Sequence, residues 1–499
     1  MDQIAIVINR HIRLTLQTQV YEQIRNMIVD GILPLGTTLP STRELAKQLS
    51  VSRNTIILAY ERLRGEGYVI MQQPYGTLVC KDLPDHSMGI DTRCSAEVLE
   101  TTSNKQASIF FGRAHQVTSP NQNIATIDFW PGTPDHSAFP IRQWRRILTD
   151  LLSVASPQLT TYGDPAGHPL LREAIASHLG PSRGIRVNSQ RIIVVTGTQM
   201  ALNIVCRLLV GVGSKVIVED PCYEGASNVF ESYGGQLLAI PVDSQGLCAE
   251  ELPKEGASVV YVTPSHQFPL GHTMSVDRRR QLIEWSNKTG AYLVEDDYDA
   301  DFKFAGPPLP ALASMDNEQS VFYLGTFSKA LGPGLRIGFI IPPSHLYGPA
   351  LAVKTLFDHY FPWFEQAALA EFLESGEYVS HLRRIRHMYA ARLATLREAI
   401  NIYFTNVEIA GDQGGMHVTW MLPRKGLPAA SIAELALKRG VGIYPVGTSF
   451  CRIFKQTDEF RRTLVMGYAA VRERYIREGI VRIAECISEL NAHPRSLDS

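Results

Sequence analysis

Residues 325–339 read GTFSKALGPGLRIGF and place a lysine, Lys329, between small hydroxyl residues and a glycine-rich turn, seven positions before Arg336. Apolar runs typical of β-strands flank this stretch, VFYLGT from residue 321 and LRIGFII from residue 335. A buried lysine costs free energy unless its charge is paired or its amine is used covalently. Lys329 is therefore either an ordinary loop lysine or the reactive centre of a site, and the surrounding sequence decides between the two.

The same alternation of apolar runs and helical segments extends over residues 125–490. Further runs of this kind are RIIVVTG from residue 191, SKVIVED from 214, SVVYVTP from 258 and AYLVEDD from 291. Strands that are apolar on both faces and separated by helices indicate an α/β fold, a mostly parallel sheet with helices on both faces, in which ligands lie at the carboxyl ends of the strands. From about residue 370 the pattern loosens into helices around GGMHVTWML and GVGIYP, which predicts a smaller C-terminal α+β subdomain.

The length of 499 residues exceeds one ordinary core and predicts two or three domains. Residues 10–80 show dense helical periodicity followed by a hairpin pattern. Residues 81–124 are rich in Ser, Thr, Asn, Asp and Pro and carry little periodic apolar content, which is typical of a flexible linker. The chain is therefore expected to consist of an N-terminal module (10–80), a linker (81–124) and a large domain (125–490).

The composition excludes several classes of protein. Hydrophobic residues make up 45% of the chain and charged residues 19%, which indicates a folded globular protein, and the net charge of −1 says nothing about nucleic-acid binding. No apolar run approaches the ~20 residues needed to cross a bilayer, and the N-terminus lacks the features of a secretory signal, so a cytoplasmic protein is expected. The seven cysteines contain no C-x-x-C pair, which favours reduced thiols and predicts neither a disulfide framework nor a metal site.

Residues 40–69, PSTRELAKQLSVSRNTIILAYERLRGEGYV, predict two helices joined by a tight turn. Ser41 or Thr42 is expected to cap the first helix and Ser52 the second. Residues 68–80, YVIMQQPYGTLVC, predict two short strands joined through Pro74 and Gly76, which form a wing. On its own this pattern fits a structural helical pair as well as a DNA-binding module. The apolar residues that share the inner faces of the helices are Leu45, Leu49, Ile56, Tyr60 and Leu63.

Almost throughout its length this module resembles the winged helix of GntR-type regulators. The resemblance implies double-stranded operator DNA as a partner. Between residues 38 and 64 five basic residues stand against two acidic ones, a modest surplus, so we expect affinity to depend on dimerisation. The residues that the resemblance implies as DNA contacts are Ser41, Arg43, Ser52, Arg53, Asn54, Thr55 and Gly76.

Polar residues follow several apolar runs of the large domain. The stretch TGTQMAL opens a helix at residues 197–199, whose N–H groups could receive an anion. Tyr223 in EDPCYEG offers an aromatic face, and Asp296 and Tyr298 in VEDDYDADF could point to the same side of an extended chain. Each signal alone fits a capped helix, a packing tyrosine or a polar strand end. Together with Lys329 they fit a phosphorylated planar cofactor that forms a Schiff base, as pyridoxal phosphate does.

Residues 125 to about 490 resemble a fold-type-I aminotransferase domain, and the whole chain resembles the MocR/GabR-type subfamily of GntR regulators. The resemblance implies pyridoxal 5'-phosphate as the cofactor, with Lys329 as its Schiff-base lysine. Asp296 would hold the ring nitrogen, Tyr298 would hydrogen-bond the ring oxygen, and Tyr223 would stack on the ring. A head-to-tail homodimer is also implied, in which Tyr162 reaches the phosphate of the other subunit. The residues implied around the phosphate are Gly197, Thr198, Gln199, Thr326, Ser328 and Arg336.

Two positions depart from the aminotransferase pattern. Phe268 in TPSHQFPLG stands where aminotransferases usually carry Asn, as is common in this regulator subfamily. Val465 in TLVMGYA stands where the arginine for the substrate carboxylate is expected. Because valine cannot pair with a carboxylate, efficient amino-acid transamination is not expected. The nearby arginines that could replace the missing one are Arg452, Arg461 and Arg462.

We therefore expect a DNA-binding transcription regulator rather than an enzyme, whose aminotransferase-like domain senses a small amine or pyridoxal phosphate itself. The alternative is an active fold-type-I aminotransferase with an ancillary DNA-binding module. Turnover distinguishes them, because a regulator performs at most a residual half-transamination with amino donors, whereas an enzyme cycles.

Overall fold

The computed structural model describes residues 6–9, 14–72, 76–81, 125–154, 156–304, 309–317, 319–360, 362–423, 427–448 and 450–492. The chain divides into two compact units, Met1–Gln106 and Ala107–Ser499. Apart from Lys81, the predicted linker of residues 81–124 lies outside the described residues. Within the described ranges, no helix combines the length and the apolar character that crossing a membrane requires.

The first unit contains the predicted helix pair and wing. β1 and β2 of the wing pair antiparallel, with Val69 opposite Val79. Pro74, expected in the turn between them, lies outside the described residues. The elements of this unit are α1 (Leu16–Val29), α2 (Thr42–Leu49), α3 (Arg53–Gly65), β1 (Val69–Gln72) and β2 (Gly76–Val79).

Two serines start the second and third helices. Ser41 forms a capping box with Glu44, in which Ser41 Oγ accepts the Glu44 N–H at 3.3 Å and the Glu44 carboxylate accepts the Ser41 N–H at 3.0 Å. Ser52 Oγ accepts the Thr55 N–H at 3.1 Å. Of the two residues expected to cap α2, Ser41 is the one used. Leu45, Ile56, Tyr60 and Leu63 are buried in the core of the unit, as predicted, and Leu49 packs against it half-buried.

The second unit alternates helices and strands. Its helices are α4 (Ile141–Val154), α5 (Ser156–Leu159), α6 (Pro169–Arg183), α7 (Thr198–Leu209), α8 (Glu224–Ser232), α9 (Val276–Thr289), α10 (Leu312–Met315), α11 (Ser328–Leu331), α12 (Tyr347–Asp358), α13 (Trp363–Glu374), α14 (Glu377–Tyr403), α15 (Ala429–Lys438), α16 (Asp458–Arg461) and α17 (Glu473–Ala492). Its strands are β3 (Ile127–Asp128), β4 (Ile193–Val195), β5 (Lys215–Asp220), β6 (Cys222–Tyr223), β7 (Gln236–Asp243), β8 (Gly246–Leu247), β9 (Val259–Val262), β10 (Tyr292–Asp296), β11 (Val321–Thr326), β12 (Gly338–Ile341), β13 (Glu408–Ala410), β14 (His417–Met421), β15 (Val441–Gly442), β16 (Tyr444–Pro445), β17 (Cys451–Arg452) and β18 (Thr463–Gly467).

An eight-stranded sheet in the order β4-β12-β11-β10-β9-β5-β7-β8 forms the centre of this unit among the described residues. β11, β10, β9, β5 and β7 run parallel, which confirms the predicted mostly parallel sheet. β12, from the run LRIGFII, is antiparallel to both of its neighbours. A run that is apolar on both faces does not encode strand direction, because helices cover both faces of the sheet in either case.

Helices cover both faces of the sheet, which explains why its strands are apolar along their length. In β4, Ile193 and Val195 pack on one face in a cluster with residues of α7 and α12. Val194 packs on the other face with residues of α6 and α13. Every residue of this strand is therefore buried.

A four-stranded antiparallel sheet, β13-β14-β18-β16, lies in the smaller C-terminal part. β3, the first described strand after the linker, pairs with β15, with Ile127 opposite Val441. The sequence pattern does not predict this pairing, because the two strands are short and far apart in the chain. As a result, the segment that follows β3 is anchored next to the C-terminal strands.

A buried ion pair joins the long helix α14 to that segment. Arg392 Nη2 lies 2.6 Å from Asp135 Oδ2, and the two side chains are 4% and 3% exposed. Asp135 Oδ1 also accepts the Ser137 hydroxyl at 2.7 Å. Burial raises the pKa of Asp135, but the hydrogen bonds from Ser137 and Arg392 hold the pKa below its ordinary value overall. The carboxylate is therefore ionised and paired at neutral pH.

Replacing Arg392 with Met is expected to destabilise the protein by about 3–5 kcal/mol near pH 7, because it leaves the Asp135 carboxylate buried without its counter-charge. The lowered pKa of Asp135 means that its pairing stabilises the fold above the ordinary pKa of an aspartate, and that this contribution is lost as the pH falls through the folded-state pKa. The difference between wild type and Arg392→Met should therefore shrink in acid, which urea unfolding of the full chain at several pH values measures.

The matched control is Arg397→Met, which removes a more exposed ion pair with Asp412 in which the Arg397 side chain is 52% exposed. This control should cost at most about 1 kcal/mol. Equal destabilisation by the two substitutions would contradict the role given to the buried pair.

Candidate functional site

The residues expected at the carboxyl ends of the strands lie at one edge of the central sheet. Gly197 follows β4, Tyr223 lies in β6 just after β5, Asp296 ends β10, and Lys329 follows β11 in α11. β5, β10 and β11 share one direction through β9, so their carboxyl ends meet at this edge. Residues from separate segments of the chain therefore surround Lys329.

Lys329 is a half-buried amine in a polar setting. Its Nζ donates to the Gly132 carbonyl at 2.9 Å and lies 5.9 Å from the centre of the Tyr298 ring. Burial lowers the pKa of Lys329, and the charges of Asp299 and Asp296 oppose that shift. A lysine with a lowered pKa is neutral in a larger fraction of molecules and is therefore more nucleophilic. A Cβ at Gly132 would lie 2.7 Å from Nζ, so this approach requires glycine.

Asp296 is 4% exposed, and its two carboxylate oxygens differ in their hydrogen bonding. Its Oδ2 accepts the Tyr261 hydroxyl at 2.8 Å, whereas its Oδ1 is buried with no hydrogen-bond partner in the described part of the chain. Burial raises the pKa of Asp296 to about 7, and the charge of Asp297 adds to that rise. A cationic hydrogen-bond donor at Oδ1 would satisfy the free oxygen and favour the ionised carboxylate.

The residues at the start of α7 and the nearby Arg336 offer hydrogen-bond donors to an anion. α7 begins at Thr198 after Gly197, whose φ of +97° suits glycine, so the first turn of α7 presents free N–H groups. Arg336 Nη2 donates to the Thr196 carbonyl at 2.8 Å, and a Cβ at Gly197 would lie 3.0 Å from that nitrogen. The guanidinium of Arg336 therefore lies beside the start of α7.

Thr326 and Ser328 lie near the start of α7, because β12 pairs with β11 on one side and with β4 on the other. Gly338 of β12 pairs with Val195 on one side and with Thr326 on the other. The hydroxyls of Thr326 and Ser328 are 3.0 Å apart, and the Ser328 N–H donates to Thr326 Oγ1 at 3.1 Å. Two hydroxyls, a helix N-terminus and an arginine form a donor set typical of a phosphate site.

Two tyrosines and Phe268 form an aromatic group beside Asp296. The Phe268 ring centre lies 5.8 Å from that of Tyr223 and 6.0 Å from that of Tyr298, edge to face in both cases. Gln199 Nε2 donates to the Tyr223 hydroxyl at 3.4 Å, so Gln199, which was expected near the phosphate, contacts the stacking tyrosine in this structure. The Tyr298 hydroxyl donates to the His266 carbonyl at 2.9 Å.

Within one chain, the side chain of Tyr162 lies on the surface and not among the residues around Lys329. Its side chain is 89% exposed, and the described ring contact is with His359 at 6.2 Å between centres. An exposed tyrosine is available for contact with a second subunit, and that role stays a prediction.

Val465 lies in an apolar wall rather than in a polar pocket. It is fully buried in β18, opposite Thr419 of β14 and Tyr444 of β16. It packs with Phe450 in a cluster that also contains Phe268, which links this wall to the two tyrosines. Other members of the wall are Trp130, Leu270, Val446 and Cys451.

The three arginines near Val465 in the sequence are engaged elsewhere or exposed. Arg452 pairs with Glu231, and it points to the opposite face of its strand from Cys451, which packs in the wall. Arg462 lies 3.1 Å from Asp458 and also donates to the Leu422 carbonyl. Arg461 is exposed. The structure therefore brings none of the three to the wall around Val465.

Several residues of this site were not predicted from the sequence. Asp299 directly follows Tyr298 in the acidic run EDDYDAD, which was an available local signal. Gly132 and His266 carried no such signal, because long-range packing brings Gly132 to Lys329 and His266 to Tyr298. The same holds for Trp130, which packs on Tyr444 and Phe450.

In the first unit, the residues expected to contact DNA lie on the surface near the start of α3 and on the wing. Arg53 Nε donates to Thr42 Oγ1 at 3.3 Å, which holds Arg53 beside the first turn of α2, close to Arg43. Ser41 and Ser52 use their hydroxyls as helix caps, so a DNA contact would add to a structural role. Ser41, Arg43, Ser52, Arg53, Asn54 and Gly76 are exposed, and Thr55 is half-buried.

Comparison with protein families finds two matches. The family described as aminotransferase class I and II matches residues 129–483, and the bacterial regulatory proteins of the gntR family match residues 16–79. The first match contains the site around Lys329, and the second contains the helix pair and the wing.

Several relatives match along nearly the whole chain. The probable rhizopine catabolism regulatory protein MocR of Rhizobium meliloti is 35% identical over 484 residues, which cover 95% of this chain and 94% of the relative. The HTH-type pyridoxine biosynthesis transcriptional regulator PdxR of Corynebacterium glutamicum is 28% identical over 97% of this chain and 98% of the relative. Among solved structures, the kynurenine aminotransferase of Pyrococcus horikoshii is similar with a TM-score of 0.66 and 31% identity, over 73% of this chain and 91% of that chain.

Proposed function

The chain belongs to the MocR-type transcription regulators of the GntR family, in which a winged helix precedes an aminotransferase class I and II domain, and we propose that it binds operator DNA under the control of pyridoxal phosphate held at Lys329. One arrangement carries this proposal. The amine of Lys329, the unpaired Oδ1 of Asp296 and the donor set at the start of α7 surround one site.

The residues present fit each polar part of pyridoxal phosphate. The start of α7, Arg336 and the hydroxyls of Thr326 and Ser328 would hold the phosphate. The buried Oδ1 of Asp296 has no hydrogen-bond partner among the residues that the structure describes, and a protonated ring nitrogen would supply one. Lys329 would hold the cofactor as a Schiff base, Tyr298 would donate to the ring oxygen, and Tyr223 would pack on the ring. Tyr162 of a second subunit would complete the phosphate site.

When bound, the cofactor supplies an electrophilic carbon that can exchange one amine for another. The protein's residues determine what else the site accepts. Asp299 and Asp296 hold negative charge near the Lys329 amine, whether it is bound or displaced. A ligand alters DNA binding only by its differential affinity for the arrangements of the protein.

The wall around Val465 favours a regulator over an aminotransferase. A carboxylate placed there would be desolvated next to Val465, Phe450 and Phe268. The three arginines near Val465 in the sequence are engaged elsewhere or exposed, so they are not placed to pair with it. We infer that the effector is pyridoxal phosphate itself, or an amine whose acidic group, if it has one, is bound elsewhere. Amino donors should support at most a half-reaction. Relatives of the same length are named for rhizopine catabolism and for pyridoxine biosynthesis, which supports different ligands on one scaffold.

Reduction of the purified protein with borohydride should attach the cofactor to Lys329, because the lowered pKa of this lysine favours the reactive amine. The unreduced protein should be yellow. Peptide mapping by mass spectrometry locates the label, which Lys329→Ala should abolish and the control Lys303→Ala should retain. Recovery of the label on another lysine would overturn the assignment of Lys329.

Replacing Arg53 with Ala should weaken binding to the specific operator by ~1–3 kcal/mol if Arg53 contacts a base edge, and should weaken all DNA sequences alike if it contacts only phosphate. Fluorescence anisotropy with DNA from the promoters of the gene and its neighbours, at several salt concentrations, separates the two. Arg64→Ala removes one charge from the exposed end of the same helix and serves as the control. Unchanged affinity in both Arg43→Ala and Arg53→Ala would argue against DNA binding through this surface.

Ordinary α-amino acids should change the absorbance of the bound cofactor only slowly or weakly, because Val465 offers no partner for a carboxylate. Titration with a panel of α-amino acids, ω-amino acids, taurine and simple amines measures this preference. Val465→Arg should strengthen the response to carboxylates, and Val465→Leu should leave the preference unchanged. Rapid, tight exchange with α-amino acids in the wild type that Val465→Arg does not alter would refute the selection by this position.

A further inference from the structure

His266 stands next to the tyrosine that is expected to hold the cofactor's ring oxygen. Its carbonyl accepts the Tyr298 hydroxyl at 2.9 Å, and its Nδ1 lies 3.3 Å from the same hydroxyl oxygen. Asp299 Oδ2 lies 3.0 Å from Nδ1. His266 is 5% exposed and Asp299 is 4% exposed, so this contact is shielded from water. No role has been given to His266 above, and Asp299 has entered only through its negative charge near the Lys329 amine.

The surroundings of the ring favour one tautomer of His266. Its Nε2 is buried with no hydrogen-bond partner in the described ranges. A Cβ at Gly271 would lie 3.2 Å from Nε2 and a Cβ at Gly411 would lie 3.0 Å from it, so backbone rather than an acceptor covers this nitrogen. A buried N–H without an acceptor costs free energy. The proton therefore belongs on Nδ1, which is within hydrogen-bond distance of the Tyr298 oxygen, and the negative charge of Asp299 lies 3.0 Å away.

Close packing fixes the orientation of the His266 ring. A Cβ at Gly415 would lie 2.6 Å from Nδ1, so a side chain at this position would displace the ring. The ring of His417 in β14 packs against His266 edge to face, with 4.6 Å between centres. Gly411 and Gly415 precede β14 and Gly271 lies in the loop after β9, so segments far apart in the sequence enclose this histidine.

We propose that His266 is a positioning residue that strengthens Tyr298 as a hydrogen-bond donor, an inference that rests on the proposed binding of pyridoxal phosphate. An N–H that donates to a phenolic oxygen polarises the hydroxyl, so that its own proton is donated more strongly. Phe268, whose ring packs on Tyr298, carries no hydrogen-bonding group. His266 and Asp299 therefore set the strength with which Tyr298 donates to the ring oxygen.

The proposed role of His266 predicts the direction in which the pKa of the nitrogen between Lys329 and the cofactor changes when His266 is replaced. A donor to the ring oxygen stabilises negative charge on that oxygen, so the nitrogen that links Lys329 to the cofactor loses its proton at a lower pH. Loss of this nitrogen's proton changes the absorbance of the bound cofactor. A weaker hydrogen bond from Tyr298 should therefore raise the pH midpoint of that absorbance change. The titratable groups around this linkage are Asp296, Asp299, Tyr298, His266 and His417. Burial lowers the pKa of His417 well below its ordinary value.

The test is a spectrophotometric pH titration of the full-length protein loaded with pyridoxal phosphate. In His266→Gln the amide reaches the position of Nε2 and no donor remains at Nδ1, so the midpoint should rise by about 0.5 to 1 pH unit, the equivalent of one hydrogen bond. In His266→Asn the amide N–H can occupy the position of Nδ1, and the midpoint should stay near that of the wild type. Tyr298→Phe should raise the midpoint at least as far as His266→Gln.

A double-substitution cycle separates positioning from a general structural effect. In the Tyr298→Phe background, His266→Gln should cause no further shift, because the hydroxyl through which it acts is gone. An equal shift by the Gln and Asn variants, or the same His266→Gln shift with and without the Tyr298 hydroxyl, would overturn the inference. A wild-type protein that shows no visible cofactor absorbance and no label on Lys329 would instead refute the proposed function.

Gly415→Ala provides a second route if His266→Gln does not fold. The new Cβ should displace the His266 ring and raise the midpoint with the same sign. Gly376→Ala is the matched control, since Gly376 has a similar φ of +76° but open space around its Cβ position. A midpoint that responds equally to both glycine substitutions, or to neither, would contradict the role of His266.

Discussion

The charge balance around Lys329 is the constraint on which the rest of the site depends. Burial alone lowers the pKa of the amine, and the carboxylates of Asp299 and Asp296 oppose that effect. Burial raises the pKa of Asp296 to about 7, and its Oδ1 has no hydrogen-bond partner in the described part of the chain. The chain has thus placed two desolvated carboxylates beside one desolvated amine, which is unfavourable unless a ligand with positive and hydrogen-bonding groups joins them. These buried charges therefore lower the stability of the ligand-free protein, and a ligand that pairs with them would restore it.

The sheet topology brings the anion-binding residues to that amine. The parallel strands carry Asp296 and Lys329 to one edge, and the antiparallel β12 lies between β4 and β11. Gly338 in β12 has no side chain, and a Cβ there would lie 3.1 Å from the Cα of Gly197 and 2.9 Å from the Gly325 carbonyl. The start of α7 can therefore approach the end of β11 only with glycine at this position. A strand whose direction the sequence pattern did not reveal thus determines the spacing between Lys329 and the residues proposed to hold the phosphate.

Much of the fold and the centre of the site could be predicted because their signals are local. Lys329, Asp296, Tyr298 and Gly197 each follow an apolar run, and parallel strands bring such ends together. The parts that escaped prediction depend on contacts between distant segments. The pairing of β3 with β15 joins Ile127 to Val441, and the packing of Gly411 and Gly415 around His266 leaves no periodic pattern. Gln199 was expected at the phosphate, but its side chain contacts Tyr223, because the second residue of a helix can direct its side chain to a neighbouring segment while its N–H faces the helix start.

The segments that enclose His266 also indicate where a ligand can act on the structure. Lys329 and Tyr298 directly follow strands of the central sheet. By contrast, Gly411, Gly415, His417 and Val465 belong to the smaller C-terminal part. His417 Nε2 bonds the Pro269 carbonyl at 3.0 Å and the Thr419 hydroxyl donates to the Leu270 carbonyl at 2.9 Å, so the loop that carries His266 is bound directly to β14. A ligand that changes the hydrogen bonding of Tyr298 changes the contacts of His266, and through them the free energy of packing β14 against this loop. The hydrogen bonds from His417 and Thr419 to this loop are therefore a route by which the ligand proposed at Lys329 would act on the C-terminal part.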